Sequence, residues 1–182
     1  MNLMWADAYS TLSSWNPPDD AQRSRRDEYL TFLDAHPDGV WRECRVGHLT
    51  ASALVMDEQK QRVLLTLHPK VGRWLQLGGH IEPGDTSLRA AALREAIEES
   101  GINEIRISAE PICLDRHPVP CAGSQSEHLD VQYLALVPNT ATAVMSAESD
   151  DLRWFTFDHL PSDLETSVRR LIELSLRWVD GR

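Results

Sequence analysis

Three glutamates, Glu95, Glu98 and Glu99, recur at spacings of three and four along a run of strong helix formers, so a helix here sets all three on one face. Like charges at that spacing repel, and near a helix C-terminus they also oppose the dipole, so the face costs local stability unless cations sit among it. Oxygen-only ligands suit hard divalent ions such as Mg²⁺ or Mn²⁺, which are held by a few carboxylates together with waters and phosphate oxygens. Arg94 stands beside Glu95 and can orient one of these carboxylates through a forked pair. A Glu-rich helix face is ordinarily solvated surface. What sets this one apart is its approach, because the Gly78-Gly79 and Pro83-Gly84 turns put backbone groups beside the helix start, where main-chain atoms can meet a metal or a phosphate.

The order of these residues resembles the signature of the Nudix hydrolases: a glycine, five residues, an acid, seven residues, then Arg-Glu, an apolar residue, any residue, Glu-Glu, any residue, Gly and an apolar residue. Here Gly79 is followed after five residues by Asp85, and Arg94-Glu95-Ala96-Ile97-Glu98-Glu99-Ser100-Gly101-Ile102 matches the second half at every specified position. The first half differs twice, with Asp85 in place of Glu and eight residues rather than seven before Arg94. The added residue falls where loop meets helix, where an insertion leaves the glutamate face intact. The resemblance runs from the strand near His48 to Ile102 and more loosely beyond it.

That resemblance implies an α/β fold, an α/β/α sandwich with a mixed β-sheet, and Mg²⁺-dependent cleavage of a pyrophosphate linkage. The substrate class is a small-molecule nucleoside diphosphate joined to another moiety: a nucleotide sugar, a dinucleotide or a nucleoside triphosphate. Glu95, Glu98, Glu99 and Arg94 take the catalytic positions, and Gly78, through its carbonyl, joins the three glutamates as metal ligands for Mg²⁺, or Mn²⁺ in its place. Lys70, Arg73, Trp74, Glu82 and Glu127 are substrate-contact candidates, and Glu127 or Glu148 a distal acid or base. As loop charges, Lys70 and Arg73 also fit plain solvated surface. His80 suits a structural hydrogen-bonding role better than a place among magnesium ligands. Two other readings share the scaffold: a prenyl-diphosphate isomerase-like enzyme, which wants a catalytic cysteine, and a catalytically silent nucleotide-binding module. Similar proteins are commonly dimers, so the resemblance admits a homodimer.

The elements that must position this set follow from pattern. Residues 3–15 and 21–35 read as two helices, with Asn16-Pro17-Pro18-Asp19-Asp20 as a break that caps the second, whose Tyr29, Phe32 and Leu33 form an apolar stripe. Residues 1–40 are thus expected as a helical extension packed on a catalytic domain over 41–182, with a lid or dimer contact as the sharper alternative. Residues 49–56 and 62–67 flank a polar turn and read as a hairpin, and 74–77 as a short strand leading to Gly78. Strand-like runs follow over 102–110 and 112–117, then a loop over 117–126 at the edge of a pocket, then strands over 128–137 and 152–157. A helix over 164–179 carries Leu164, Val168, Leu171, Ile172 and Val179 on one stripe.

Across the 182 residues the formal charge is −10, which argues against wrapping a nucleic acid and leaves an anionic substrate in need of bound cations. Cys44, Cys113 and Cys121 are few, odd in number and not at metal-ligand spacing, which favours reduced thiols in the cytoplasm. Neither a leader nor a long apolar run is present, so the expectation is a protein that engages no membrane.

Overall fold

The computed structural model describes residues 3–121, 124–147 and 149–181, and among these the chain forms four helices and eight strands. Helix α1 (Leu3–Ser14) buries Met4, Ala8 and Leu12, one residue per turn of a single stripe. Helix α2 (Asp20–Ala35) begins where the Asp19 side chain accepts the Gln22 amide at 2.9 Å, the cap its sequence announced. Tyr29 and Leu33 are fully buried and Phe32 packs beside them, so the stripe of α2 faces inward with that of α1. Burying a leucine stabilises by about 1.5–3 kcal/mol. These stripes therefore hold both helices against the sheet.

The sheet is built on β1 (His48–Asp57), every residue of which is buried. It runs parallel to β7 (Ser124–Val137) from His48 opposite His128 to Asp57 opposite Val137. The order is β3 (Arg73–Leu75), β2 (Arg62–His68), β1, β7, β5 (Arg106–Ile107), while β4 (Leu77–His80) pairs with β1, β6 (Cys113–Cys121) with β7 and β8 (Asp151–Thr156) with β2. Leu49, Ala51, Ala53 and Val55 face α1, α2 and α3 (Leu88–Ser100), whereas Leu54 and Met56 face α4 (Thr166–Asp180) with Val168 and Leu171. A strand covered on both faces must be apolar on both, and the result is an α/β/α sandwich on a mixed sheet. At its first end the α4 side of β1 is polar, with His48, Thr50 and Ser52.

Three stretches differ from the sequence expectation. The strand expected over 74–77 is broken at Gln76, because β3 pairs with β2 and the chain then crosses to pair β4 with β1. Gly78 and Gly79 accordingly lie within a strand and not in a turn. Of 102–110, Arg106 and Ile107 alone form a strand. The loop expected over 117–126 is largely extended, with Pro118 and Pro120 in β6; Ala122 and Gly123 lie outside the described residues. Among the described residues β6 pairs with β7 alone, so its prolines cost no second ladder.

Gly101 ends α3 at φ 67°, its amide on the Ile97 carbonyl at 2.8 Å, and a Cβ there would meet Val144 Cβ at 3.0 Å. Gly101→Ala is therefore expected to lose about 1 kcal/mol or more, read as a lower urea midpoint at unchanged slope.

Candidate active site

Helix α3 is fixed at both ends before its acidic face is considered. Ser87 Oγ accepts the Ala90 amide at 3.0 Å, and Asp7 of α1 accepts the Leu88 amide at 2.8 Å, so two of the first orphan donors are satisfied. Leu88, Ala91, Ala92 and Ala96 bury the inner stripe and leave the acids at the rim.

Arg94 organises that rim. Its Nε and Nη2 grip the two oxygens of Asp85, each at 3.0 Å, and Nη2 also reaches the His80 carbonyl at 2.9 Å. Nη1 donates to Glu95 Oε1 at 3.0 Å and Glu98 Oε2 at 2.9 Å. The fork thus closes on Asp85, the residue that departs from the signature, and not on a helix glutamate; the added residue before the helix has not displaced this acid. Burial pushes the Asp85 carboxyl up, but Arg94 and the Glu82 amide at 2.8 Å bring it net below its usual value. Hydrogen bonding to Asp85 first, and then the Glu95 charge, holds Arg94 more firmly protonated against its own burial.

The glycines of β4 meet this rim edge-on. A Cβ on Gly79 would lie 2.6 Å from Glu95 Oε1, so the missing side chain is the space the carboxylate occupies. The Gly78 amide donates to Glu99 Oε2 at 3.0 Å. A Cβ on Gly78 would overlap Ser52 Cβ at 2.3 Å, which requires glycine there on steric grounds alone. Hard carboxylate oxygens beside an open strand fit a hard divalent cation. The three glutamates are not drawn within 4.8 Å of one another, since Arg94 stands between Glu95 and Glu98 while Glu99 is turned to Gly78.

Of the other sequence candidates among the described residues, Glu82 alone touches this rim, through its backbone. Arg73 pairs with Glu165 at 3.3 Å, and Trp74 packs edge-on against Phe155 at 4.8 Å in the cluster under α4, on the face away from α3. Lys70 is exposed in the turn after β2. Glu82 is exposed and contributes its amide to Asp85. Glu127 is paired with Arg116. Glu148 lies outside the described residues.

A second polar constellation, on the opposite face of β4, was not legible as such. The buried Asp130 carboxylate accepts Thr50 at 3.0 Å, Ser52 at 2.6 Å, Gln76 at 3.1 Å and Gln132 at 3.0 Å. Burial nevertheless raises its pKa. Next to it the rings of His48, His80 and His128 lie with centroids 4.9–5.2 Å apart. Burial, reinforced by the neighbouring rings, lowers His80 to about 4 and His128 to about 3. Strand register brings these residues together, and register is what a single sequence does not display.

Comparison with known proteins adds the following. A family model described as the NUDIX domain matches residues 46–174. No curated protein matches the chain. Among solved structures, a hydrolase of the NUDIX family from Clostridium perfringens is 26% identical, aligns over 71% of this chain and 97% of its own, and has a TM-score of 0.56. The NUDIX domain of Shewanella oneidensis NrtR, complexed with ADP ribose, is 24% identical over 82% of this chain and 97% of its own, at a TM-score of 0.56. A C. elegans Ap4A hydrolase binary complex is 19% identical over 74% of this chain and 98% of its own, at 0.57.

Because the folded-state Asp85 carboxyl is depressed, the stability it contributes is fully present above the unfolded value of about 3.9 and is lost as pH falls through its folded value. Asp85→Asn is expected to cost about 2 kcal/mol at pH 7 and to flatten the acid limb of stability below about pH 4, measured by urea unfolding across pH.

Proposed function

We propose that this chain, which belongs to the NUDIX family and is a Nudix-type pyrophosphohydrolase, acts with Mg²⁺ on the pyrophosphate linkage of a nucleoside diphosphate joined to another moiety. The observation that carries the reading is the Arg94 clasp, which holds Asp85, Glu95 and Glu98 in one acidic rim against the glycine strand.

A phosphoanhydride resists attack because its oxygens repel a nucleophile, and this rim is itself acidic, so bound cations must supply the neutralising charge. Glu95, Glu98, Glu99 and the Gly78 carbonyl would hold Mg²⁺, or Mn²⁺ in its place, and the ion when bound neutralises phosphate oxygens and acidifies a water. Arg94 aims Glu95 and Glu98 by hydrogen-bonding both, which is a positioning role. Glu98 is the most open of its partners, its side chain 58% exposed against 11% for Glu95 and 5% for Asp85. The proton of the attacking water passes to a carboxylate of this set or to a distal acid, for which Glu127 and Glu148 remain the candidates. We read residues 1–40 as an extension whose Asp7 steadies the helix bearing the rim. Lys70, Arg73, Trp74 and Glu82 are proposed as outer substrate contacts.

The isomerase reading gains nothing from the cysteines described. Cys44 and Cys113 are buried, and burial raises both thiols, Cys113 to about 12, far from the thiolate that carbon chemistry needs. Among the described residues, no helix is long and apolar enough to cross a membrane.

ADP ribose, a nucleoside diphosphate joined to a second sugar and seen with the S. oneidensis domain, is the first compound to try. Mg²⁺-dependent hydrolysis, read by chromatography as the nucleoside monophosphate formed, is expected across nucleotide sugars, dinucleotides and nucleoside triphosphates, with one group preferred. The double variant Glu98→Gln, Glu99→Gln should lose about 10²-fold or more of that turnover while its circular dichroism is unchanged. Unchanged turnover in that variant removes the assignment. Gly79→Ala, whose Cβ takes the place of Glu95 Oε1, should lower turnover more than it lowers the melting temperature.

A further inference from the structure

On the sheet face turned away from α3, three neighbouring strands each contribute one histidine near the same end: His48 of β1 opposite His128 of β7, and His80 of β4 opposite Thr50, two residues along β1 from His48. Their ligand nitrogens lie within 4.8 Å of one another. His48 is 1% exposed, and neither of its ring nitrogens makes a hydrogen bond, although the Cys44 backbone is near. The Nε2 of His128 is likewise buried and unpartnered. A folded protein rarely leaves such groups unsatisfied, because each lost its hydrogen bonds to water on burial. From the convergence and the orphaned nitrogens together, we infer that His48, His80 and His128 form a site for a borderline divalent transition-metal ion, Zn²⁺ foremost, separate from the carboxylate rim.

The donor set decides the class of ion. Imidazole nitrogens suit zinc, cobalt, nickel and copper and serve magnesium poorly, the reverse of the glutamates on α3. Zinc-nitrogen bonds of about 2.0–2.1 Å in a tetrahedron put nitrogens about 3.4 Å apart, so the rings close inward by roughly 1 Å through side-chain rotation. Three protein ligands leave a fourth position for water. An outer support is also present. His117 of β6 lies 5.4 Å from the His128 ring, centroid to centroid, and its Nδ1 is paired with Asp115 at 2.9 Å, which keeps its ring from swinging into the site. An ion here ties β4 to β1 and β7. It thereby fixes the strand that carries Gly78 and Gly79 from the side opposite the rim.

The test uses the full chain stripped with a chelator and titrated with Co²⁺ alone as a spectroscopic stand-in for zinc. The expected result is one equivalent bound, with visible d–d absorption of a nitrogen-ligated ion that Zn²⁺ displaces and excess Mg²⁺ does not. His48→Asn uncovers a buried position and can fail to fold, so the partly exposed positions carry the experiment. His80→Asn and His128→Asn should each weaken Co²⁺ binding by ~10-fold or more, while Glu98→Gln, Glu99→Gln leaves it unchanged. Absent absorption, absorption indifferent to both histidine variants, or absorption lost with the glutamates would each overturn the site. Because the readout is metal binding and not turnover, its outcome is independent of whether the hydrolase assignment holds.

Discussion

One guanidinium holds the acidic rim together. Arg94 has five N–H donors and the structure uses all five, on Asp85 twice, on Glu95, on Glu98 and on the His80 carbonyl. Without it, two nearly buried carboxylates, Asp85 and Glu95, would each lose a cationic partner, and breaking a buried pair by removing one partner costs far more than the pair itself contributes. The planar fork matters as much as the charge. An ammonium has three donors in a cone and cannot serve two carboxylate oxygens, a carbonyl and two further acids at once. The glutamate face of α3 is therefore not a solvated stripe that happens to be acidic. Its self-repulsion is offset in part by Arg94, placed among its members, and by the Gly78 amide on Glu99.

The parts of this arrangement that are local in sequence were legible. The cap of α2, the one-sided glutamates and the β1–β2 hairpin follow from spacing and from aspartate and polar residues at the positions where helices and turns require them. What was not legible depends on which strand lies next to which. The break at Gln76 exists because two strands share one edge of β1, and the proline-bearing β6 exists because it has a neighbour on one side only. The expectation that Arg94 would fork on a helix glutamate missed because Asp85, nine residues away, is brought in by the loop. Asp7, the partner of α3, gave no signal that it served a helix so distant.

Strand β4 separates two kinds of chemistry by one residue. Gly79 yields its side-chain space to Glu95, and the next residue, His80, sends its ring to the other face while its carbonyl remains in the grip of Arg94. Alternation along a strand does this without any insertion or bulge. Hard oxygen donors gather on the α3 side, nitrogen donors and a buried aspartate on the other, and the backbone between them is shared. A shift of β4 along β1 by one residue would exchange the two sets and destroy both.

The bond between Asp7 and the Leu88 amide spans 81 residues of chain. It closes the first turn of α3 with a group that is synthesised long before the helix it serves and that waits until the intervening sheet exists. The full closure of that turn therefore depends on the hydrophobic framework that brings the start and middle of the chain together. Loss of α1 would leave every glutamate in place, yet set them on a helix whose first turn keeps the Ser87 cap and lacks the Asp7 bond. Shedding those opening residues is thus a way of loosening the rim from afar without altering any group within it.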